Sequence, residues 1–306
     1  MIRPSVLSVA ALLVTRPLIG QSADATRVVK PAVDCPSCAE WNAPHPPLRI
    51  HGNTYYVGTN GLSAVLITSP EGHVLIDGGL GESAAPIIEH IRRLGFRIED
   101  VKLILNSHAH YDHAGGIAAL QRASGATVAA SPWSAAVIER GISGADDPQY
   151  GVLLSYPAAT HVRIIGDSEV VRVGPLALMA HFTPGHTPGG TSWSWRSCEQ
   201  DRCLDLVYAD SQTPVSADGF LFTKSTTYPH AIADFERGFA ALERPRCDIL
   251  ITPHPSASGL WDRVAARDAG NASALVDQDA CRRYAGGART ALATRIATET
   301  RPTAVP

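Results

Sequence analysis

The sequence predicts a layered α/β fold in which two mixed β-sheets pack face to face with helices on the outside. Three observations predict it. Strand-like apolar runs precede helix-like runs twice, once in each half of the chain. A dense cluster of histidine and aspartate follows directly on a short apolar run, at the kind of strand end where layered α/β folds collect function. No internal repeat and no linker-like stretch divides the chain, so residues 26–306 are expected to form one domain.

The chain has 306 residues, 45% hydrophobic and 18% charged, enough apolar content for a sizeable core. Its net charge of -3 gives no basic footprint for nucleic acid. No run reaches the ~18 uninterrupted apolar residues of a membrane span. Residues 1–25 read as a secretory signal peptide: Arg3 precedes a mostly apolar stretch, and Ala23-Asp24-Ala25 fits a small-x-small cleavage pattern. Export to the periplasm is therefore expected, and a monomer is the expected state.

After a Pro-rich arm (residues 26–49), apolar runs at 54–57, 64–68 and 74–76 are separated by Gly and Asn turn signals and read as an antiparallel meander. Ile87, Ile88, Ile91 and Leu94 have helical spacing over 83–94. A buried strand is expected at 101–105, then a loop, then a helix over 114–123. The second half offers strands at 162–165, 170–173, 176–180, 192–195, 204–209 and 248–251. Helices are expected at 231–242, 260–267 and 273–293.

The loop after residue 105 carries the chemistry. Ser107-His108-Ala109-His110-Tyr111-Asp112-His113 reads H-x-H-x-D-H. His108 and His110 alternate by two, so both can face one side of an extended segment, and Asp112 and His113 can face a second centre. His186, in Thr183-Pro184-Gly185-His186-Thr187-Pro188, and His254, in Thr252-Pro253-His254-Pro255, follow strand candidates, with prolines setting the backbone beside each ring. Together these ligands exceed what one tetrahedral zinc with an open position can use, which points to two metal ions and to hydrolysis. His45, His51, His73, His90, His161, His181 and His230 read as solvated or hydrogen-bonded residues.

An even count of six cysteines in an exported protein favours disulfides. A bond between Cys198 and Cys203 would staple a hairpin tip, and one between Cys247 and Cys281 would tie the last helix to the core. Cys35-Pro36-Ser37-Cys38 has the C-x-x-C pattern of redox or zinc sites, but no helix pattern follows it.

The H-x-H-x-D-H cluster, with the later Gly185-His186-Thr187-Pro188-Gly189 and the late His254, resembles the metallo-β-lactamase superfamily. Glu40-Trp41-Asn42, Asn53 to Gly58, Thr183 to Trp193, Tyr208 to Ser211 and Thr252 to Ser258 make it similar to subclass B3. The resemblance implies a four-layer αβ/βα sandwich with two Zn2+ ions at one edge of the sheets. It implies that His108, His110 and His186 bind the first zinc, and that Asp112, His113 and His254 bind the second. Ala209-Asp210-Ser211 stands where the largest subclass places a zinc-binding Cys, a departure that fits B3 and argues against Cys198 or Cys203 as ligands. The implied activity is hydrolysis of the β-lactam amide of penicillins, cephalosporins and carbapenems by a metal-bound hydroxide, conferring antibiotic resistance. Asp112 would hold the second zinc and orient the water; no G-x-S-x-G or S-x-x-K motif offers a serine route. Ser211 and Thr213 match positions whose hydroxyls contact the substrate carboxylate, the alternative being a local turn. Trp41 and Gln149 lie in segments that line the groove in relatives. The competing reading is a glyoxalase II-like thioesterase or a lactonase, in which Asp210 would bridge both metals.

Overall fold

The structure, a computed structural model, describes residues 35–301 together with residue 1; the expected signal peptide lies outside the described residues. The first sheet contains β1 (Leu48–His51), β2 (Thr54–Tyr56), β3 (Val65–Ile67), β4 (His73–Ile76), β5 (Val101–Leu105), β6 (Thr127–Ala130) and β7 (Arg163–Ile164), in that order across the sheet. β1 to β4 pair antiparallel and β4 to β7 pair parallel. The second sheet contains β8 (Val170–Val173), β9 (Leu176–Phe182), β10 (Thr191–Glu199), β11 (Arg202–Tyr208) and β12 (Ile249–Ile251). It is antiparallel except where β11 meets β12.

The helices are α1 (Cys38–Trp41), α2 (Ala84–Arg93), α3 (Tyr111–Ala114), α4 (Ile117–Ser124), α5 (Pro132–Arg140), α6 (Ala231–Leu242), α7 (Leu260–Asp268) and α8 (Ala280–Glu299). Side chains of period two divide between the layers. Val65, Ile76, Leu105, Leu178, Trp193, Leu206 and Ile251 fill the space between the sheets. Leu66, Leu75, Ile104 and Val128 face the other way, under Ile87 and Ile91 of α2, Leu120 of α4 and Ile138 of α5. Val207 and Leu250 lie under Phe235 and Phe239 of α6 and Leu292 of α8. Burial on both faces is why β3, β4 and β5 read as nearly continuous apolar runs. The result is the expected four-layer αβ/βα sandwich of two mixed sheets.

Several boundaries differ from expectation, each for a local reason. The helix expected over 273–293 runs instead over Ala280–Glu299. Residues before it are drawn to the second sheet: Asp277 N donates to Asp248 O at 2.7 Å, and Gln278 Nε2 to Asp248 Oδ1 at 3.0 Å. Helix α5 was not expected, although its sequence carries both end signals. Ser131 accepts from Ser134 N at 3.4 Å, Pro132 opens the helix, and Gly141 closes it at φ 72°. The expected arm contains β1, and one helical turn, α1, does follow the C-x-x-C.

The structure contains the disulfides Cys198–Cys203 and Cys247–Cys281, and it also joins Cys35 to Cys38. Cys198 and Cys203 face each other across the β10–β11 hairpin. Cys247 precedes β12 and Cys281 lies in the first turn of α8. No helix among the described residues is long and apolar enough to cross a membrane.

The two hairpin and helix staples close loops of very different length, with sequence separations of 5 and 34. Loop-closure entropy then predicts that replacing Cys247 and Cys281 by Ala destabilises the protein by about 4 kcal/mol, against about 2 kcal/mol for Cys198 and Cys203. Urea unfolding of the two double variants measures this; equal losses would contradict the loop-length account.

Candidate metal centre

The carboxyl ends of several strands converge at one edge of the sandwich. β5 leads into His108 and His110, β9 into His186, β11 into Asp210 and β12 into His254. The cluster expected to be a loop is only half a loop. His110 has extended backbone and caps α3, so Asp112 and His113 project from a helical turn. That change of backbone lets neighbouring donor side chains point in different directions.

His108, His110 and His186 bring one nitrogen each into a group whose members all lie within 4.8 Å. Asp112 Oδ2 lies 3.2 Å from His113 Nε2 and 3.3 Å from His254 Nε2. His108 is also within 4.8 Å of donor atoms on Asp112 and His113, so the two groups adjoin through it. His108, His110, Asp112, His113 and His186 are buried, and His254 is partly buried.

The outward nitrogens of four rings are held by protein oxygens. His108 Nδ1 is 2.7 Å from Asp210 Oδ1, and His110 Nε2 is 3.0 Å from Asp147 Oδ2. His186 Nδ1 donates to Thr213 O at 2.8 Å, and His254 Nδ1 to Gly61 O at 3.2 Å. Each contact fixes the ring and leaves its other nitrogen facing the centre, the usual support of metal-bound histidine.

His113 is different: it is fully buried, and among the described residues neither ring nitrogen makes a hydrogen bond of good geometry, the nearest acceptor being Asp112 Oδ2 at 3.2 Å from Nε2. A buried imidazole with no partner is costly, and a cation at Nε2 removes part of that cost. The donor set of five imidazoles and one carboxylate, with no thiolate, suits zinc. These residues fit a metal.

Burial, and then the neighbouring imidazoles, hold His108 well below the ordinary histidine range. Burial and then His110 push His186 down to about 3. Both rings are therefore neutral, as metal ligation requires. Burial pushes Asp112 up, but His113 and His254 outweigh it and hold the carboxyl well below the usual range. The Asp112 carboxylate is thus ionised and ready to ligate. Burial lowers His110, yet the Asp147 charge and hydrogen bond more than offset it.

Asp210 is the residue on which the two functional readings diverge. It stands behind His108, and a Cβ on Gly190 would come within 2.4 Å of its Oδ2. Burial, then Asp77, pushes its carboxyl well above the usual range. Its contact is with the outward nitrogen of His108, away from the nitrogen that faces the other donor residues.

Other residues take clearer places. Thr213 is exposed beside His186, and Ser211 is buried next to Asp210. Gln149 Nε2 is 3.5 Å from His186 Nε2. Trp41 packs 5.1 Å from the His254 ring and 6.5 Å from Tyr111, whose hydroxyl lies 3.5 Å from the Cys35 sulfur. Asp77 and Asp147 went unrecognised in the sequence. Asp77 accepts from Ser107 N at 2.7 Å, Ser107 Oγ at 2.6 Å and Tyr208 Oη at 2.8 Å. Its only sequence signal is Asp-Gly-Gly at the end of a strand run. Asp147 carries none beyond a polar, Pro-containing stretch.

Residues 57–254 match the family model of the Metallo-beta-lactamase superfamily. The solved structure of Rm3 metallo-beta-lactamase is 56% identical, with a TM-score of 0.86, covering 88% of this chain and 100% of that one. MEM-A1, a subclass B3 metallo-beta-lactamase isolated from a soil metagenome library, is 50% identical with a TM-score of 0.83, covering 85% and 98%. An N-acyl homoserine lactonase from Bacillus sp is 30% identical over 150 residues, covering 42% of this chain. The chain spans only 55% of that lactonase's length.

If Asp210 only orients His108, Asp210→Ala keeps the metal stoichiometry and weakens metal affinity about 10–100-fold. Chelator competition and elemental analysis measure both quantities. Loss of a whole metal equivalent would make Asp210 a ligand.

Proposed function

The chain belongs to the metallo-β-lactamase superfamily, and on that premise we propose that it is a zinc-dependent β-lactam hydrolase of the subclass B3 type. The observation that carries this reading is the thiolate-free donor set in which buried His113 makes no hydrogen bond among the described residues, its Nε2 facing Asp112 Oδ2 at 3.2 Å, and Asp210 stands behind His108. The high identity to proteins named as metallo-β-lactamases over nearly their whole length supports it. In this reading His108, His110 and His186 hold one zinc ion, and Asp112, His113 and His254 hold a second.

Bound there, the ions supply Lewis acidity and bring the pKa of a coordinated water toward neutrality. The chain does the positioning. Asp210, Asp147 and the Thr213 carbonyl fix the first three rings, so each presents one nitrogen. Asp112 orients the attacking water toward the β-lactam carbonyl. A carbon–oxygen bond forms, the ring carbon–nitrogen bond breaks, and the nitrogen takes up a proton. Ser211 and Thr213 offer hydroxyls to the substrate carboxylate, with Thr213 Oγ1 placed 3.4 Å from His186 Nδ1.

We place the enzyme in the periplasm, after removal of a signal peptide at residues 1–25, as a single domain over 26–306. Three disulfides among the described residues support an oxidising compartment. All six proposed ligands come from one chain, so a monomer suffices. Such an enzyme would confer β-lactam resistance on its host.

A lactone or thioester hydrolase is the second reading, favoured by the similarity to the lactonase. The purified protein is expected to bind two zinc equivalents and to hydrolyse a penicillin and a carbapenem, with turnover lost on chelation and restored by zinc. His110→Ala should lower kcat/KM by orders of magnitude. Chelator-sensitive turnover of a lactone or a thioester without β-lactam turnover would overturn the proposal.

A further inference from the structure

The segment spanning residues 213–223 has no helix or strand of its own, yet it touches His186 at Thr213 and the loop that bears Asp147 at Ala217. Thr213 O accepts from His186 Nδ1 at 2.8 Å, and Ala217 N donates to Pro148 O at 2.9 Å. Pro148 lies between Asp147, the partner of His110, and Gln149, the neighbour of His186.

What holds this segment lies at the far end of α8. The Glu299 side chain is only 2% exposed. It accepts from Phe222 N at 3.1 Å, Thr223 N at 2.9 Å, Thr223 Oγ1 at 2.9 Å and Arg295 Nε at 2.6 Å. Arg295 Nη2 in turn donates to Ser216 Oγ at 2.8 Å and Phe220 O at 2.9 Å, and its guanidinium lies over the Phe222 ring. A carboxylate with four donors, sheltered from water, is a strong and directional anchor. A segment without a ladder depends on such side-chain anchors, here joined to the packing of Phe222 against Phe235, 5.6 Å between ring centroids.

We propose that Glu299, acting with Arg295, is a positioning residue for the metal centre. It fixes the 213–223 segment, which sets Thr213 O against His186 and, through Pro148, holds Asp147 against His110. The inference rests on reading His110 and His186 as zinc ligands.

The test compares Glu299→Ala, Glu299→Gln, Arg289→Ala and His110→Ala in the full-length, zinc-loaded protein. Arg289 is the control, because it lies on the same helix and pairs with Glu236 and Glu243 without touching the segment. The readouts are zinc affinity by chelator competition, kcat and KM separately, and hydrogen exchange at the Ala217, Phe222 and Thr223 amides. Glu299→Ala should expose these amides and weaken zinc binding about 10-fold. Glu299→Gln, with one acceptor oxygen, should fall between it and the parent, and Arg289→Ala should match the parent.

His110→Ala should lose a zinc equivalent; if it does not, the ligand reading itself fails. If it does while Glu299→Ala binds zinc normally, only the positioning role fails. Equal loss in Arg289→Ala, or weaker zinc binding with Ala217 still protected, also overturns that role. Should Glu299→Ala not fold, Thr223→Val removes one donor to the carboxylate and carries the same comparison.

Discussion

The buried carboxylate of Asp77 is the constraint on which the rest of the site depends. It ends β4 with a left-handed backbone, φ 61°, that few residues other than glycine adopt without cost. In return its two oxygens gather Asn106 Nδ2, Ser107 N and Oγ, and Tyr208 Oη. Those donors sit at the end of β5 and the end of β11, one in each sheet. The carboxylate therefore ties the sheets together just beneath the cluster. Burial pushes the Asp77 carboxyl up, while His113 and the hydrogen bonds from Ser107 and Tyr208 act against it, so the hub depends on every donor staying in place.

A second tie reinforces the first. Thr191 N, at the start of β10, donates to Ser107 O at 2.8 Å, and the Trp193 indole donates to Asn106 O at 3.1 Å. The backbone that carries His108 is thus held from three sides before any ligand is considered. The outward contacts of the histidines then refine the ring angles. Rigidity is arranged in order of distance from the centre: sheets, then the carboxylate hub, then the partners of each ring.

Much of this was legible in the sequence, and the limits follow from what sequence patterns encode. Apolar runs such as Val101–Leu105 and Leu206–Tyr208 mark strands because both faces are buried, and the H-x-H-x-D-H spacing is local, so it survives without knowledge of the fold. Asp147 and Asp77 were not legible, because each acts on a residue distant in sequence and a lone aspartate in a turn looks the same whether it is solvated or buried. The start of α8 was misread for a similar reason: its preceding residues follow Asp248 on another element rather than their own propensity. Asp210 lay in plain view beside Ser211, but which side of His108 it faced needed the three-dimensional register of β11.

The two sheets contribute unequally to the centre: His108, His110, Asp112 and His113 follow β5 in one, and His186 and His254 follow β9 and β12 in the other. The centre is thereby a gauge of how the sandwich is aligned. A slide of one sheet over the other, too small to expose the core, would still draw the two sets of proposed ligands apart. Warming or a volume change deep among Trp193, Leu178 and Ile76 should then register first as disorder among these donor side chains, with inactivation running ahead of unfolding.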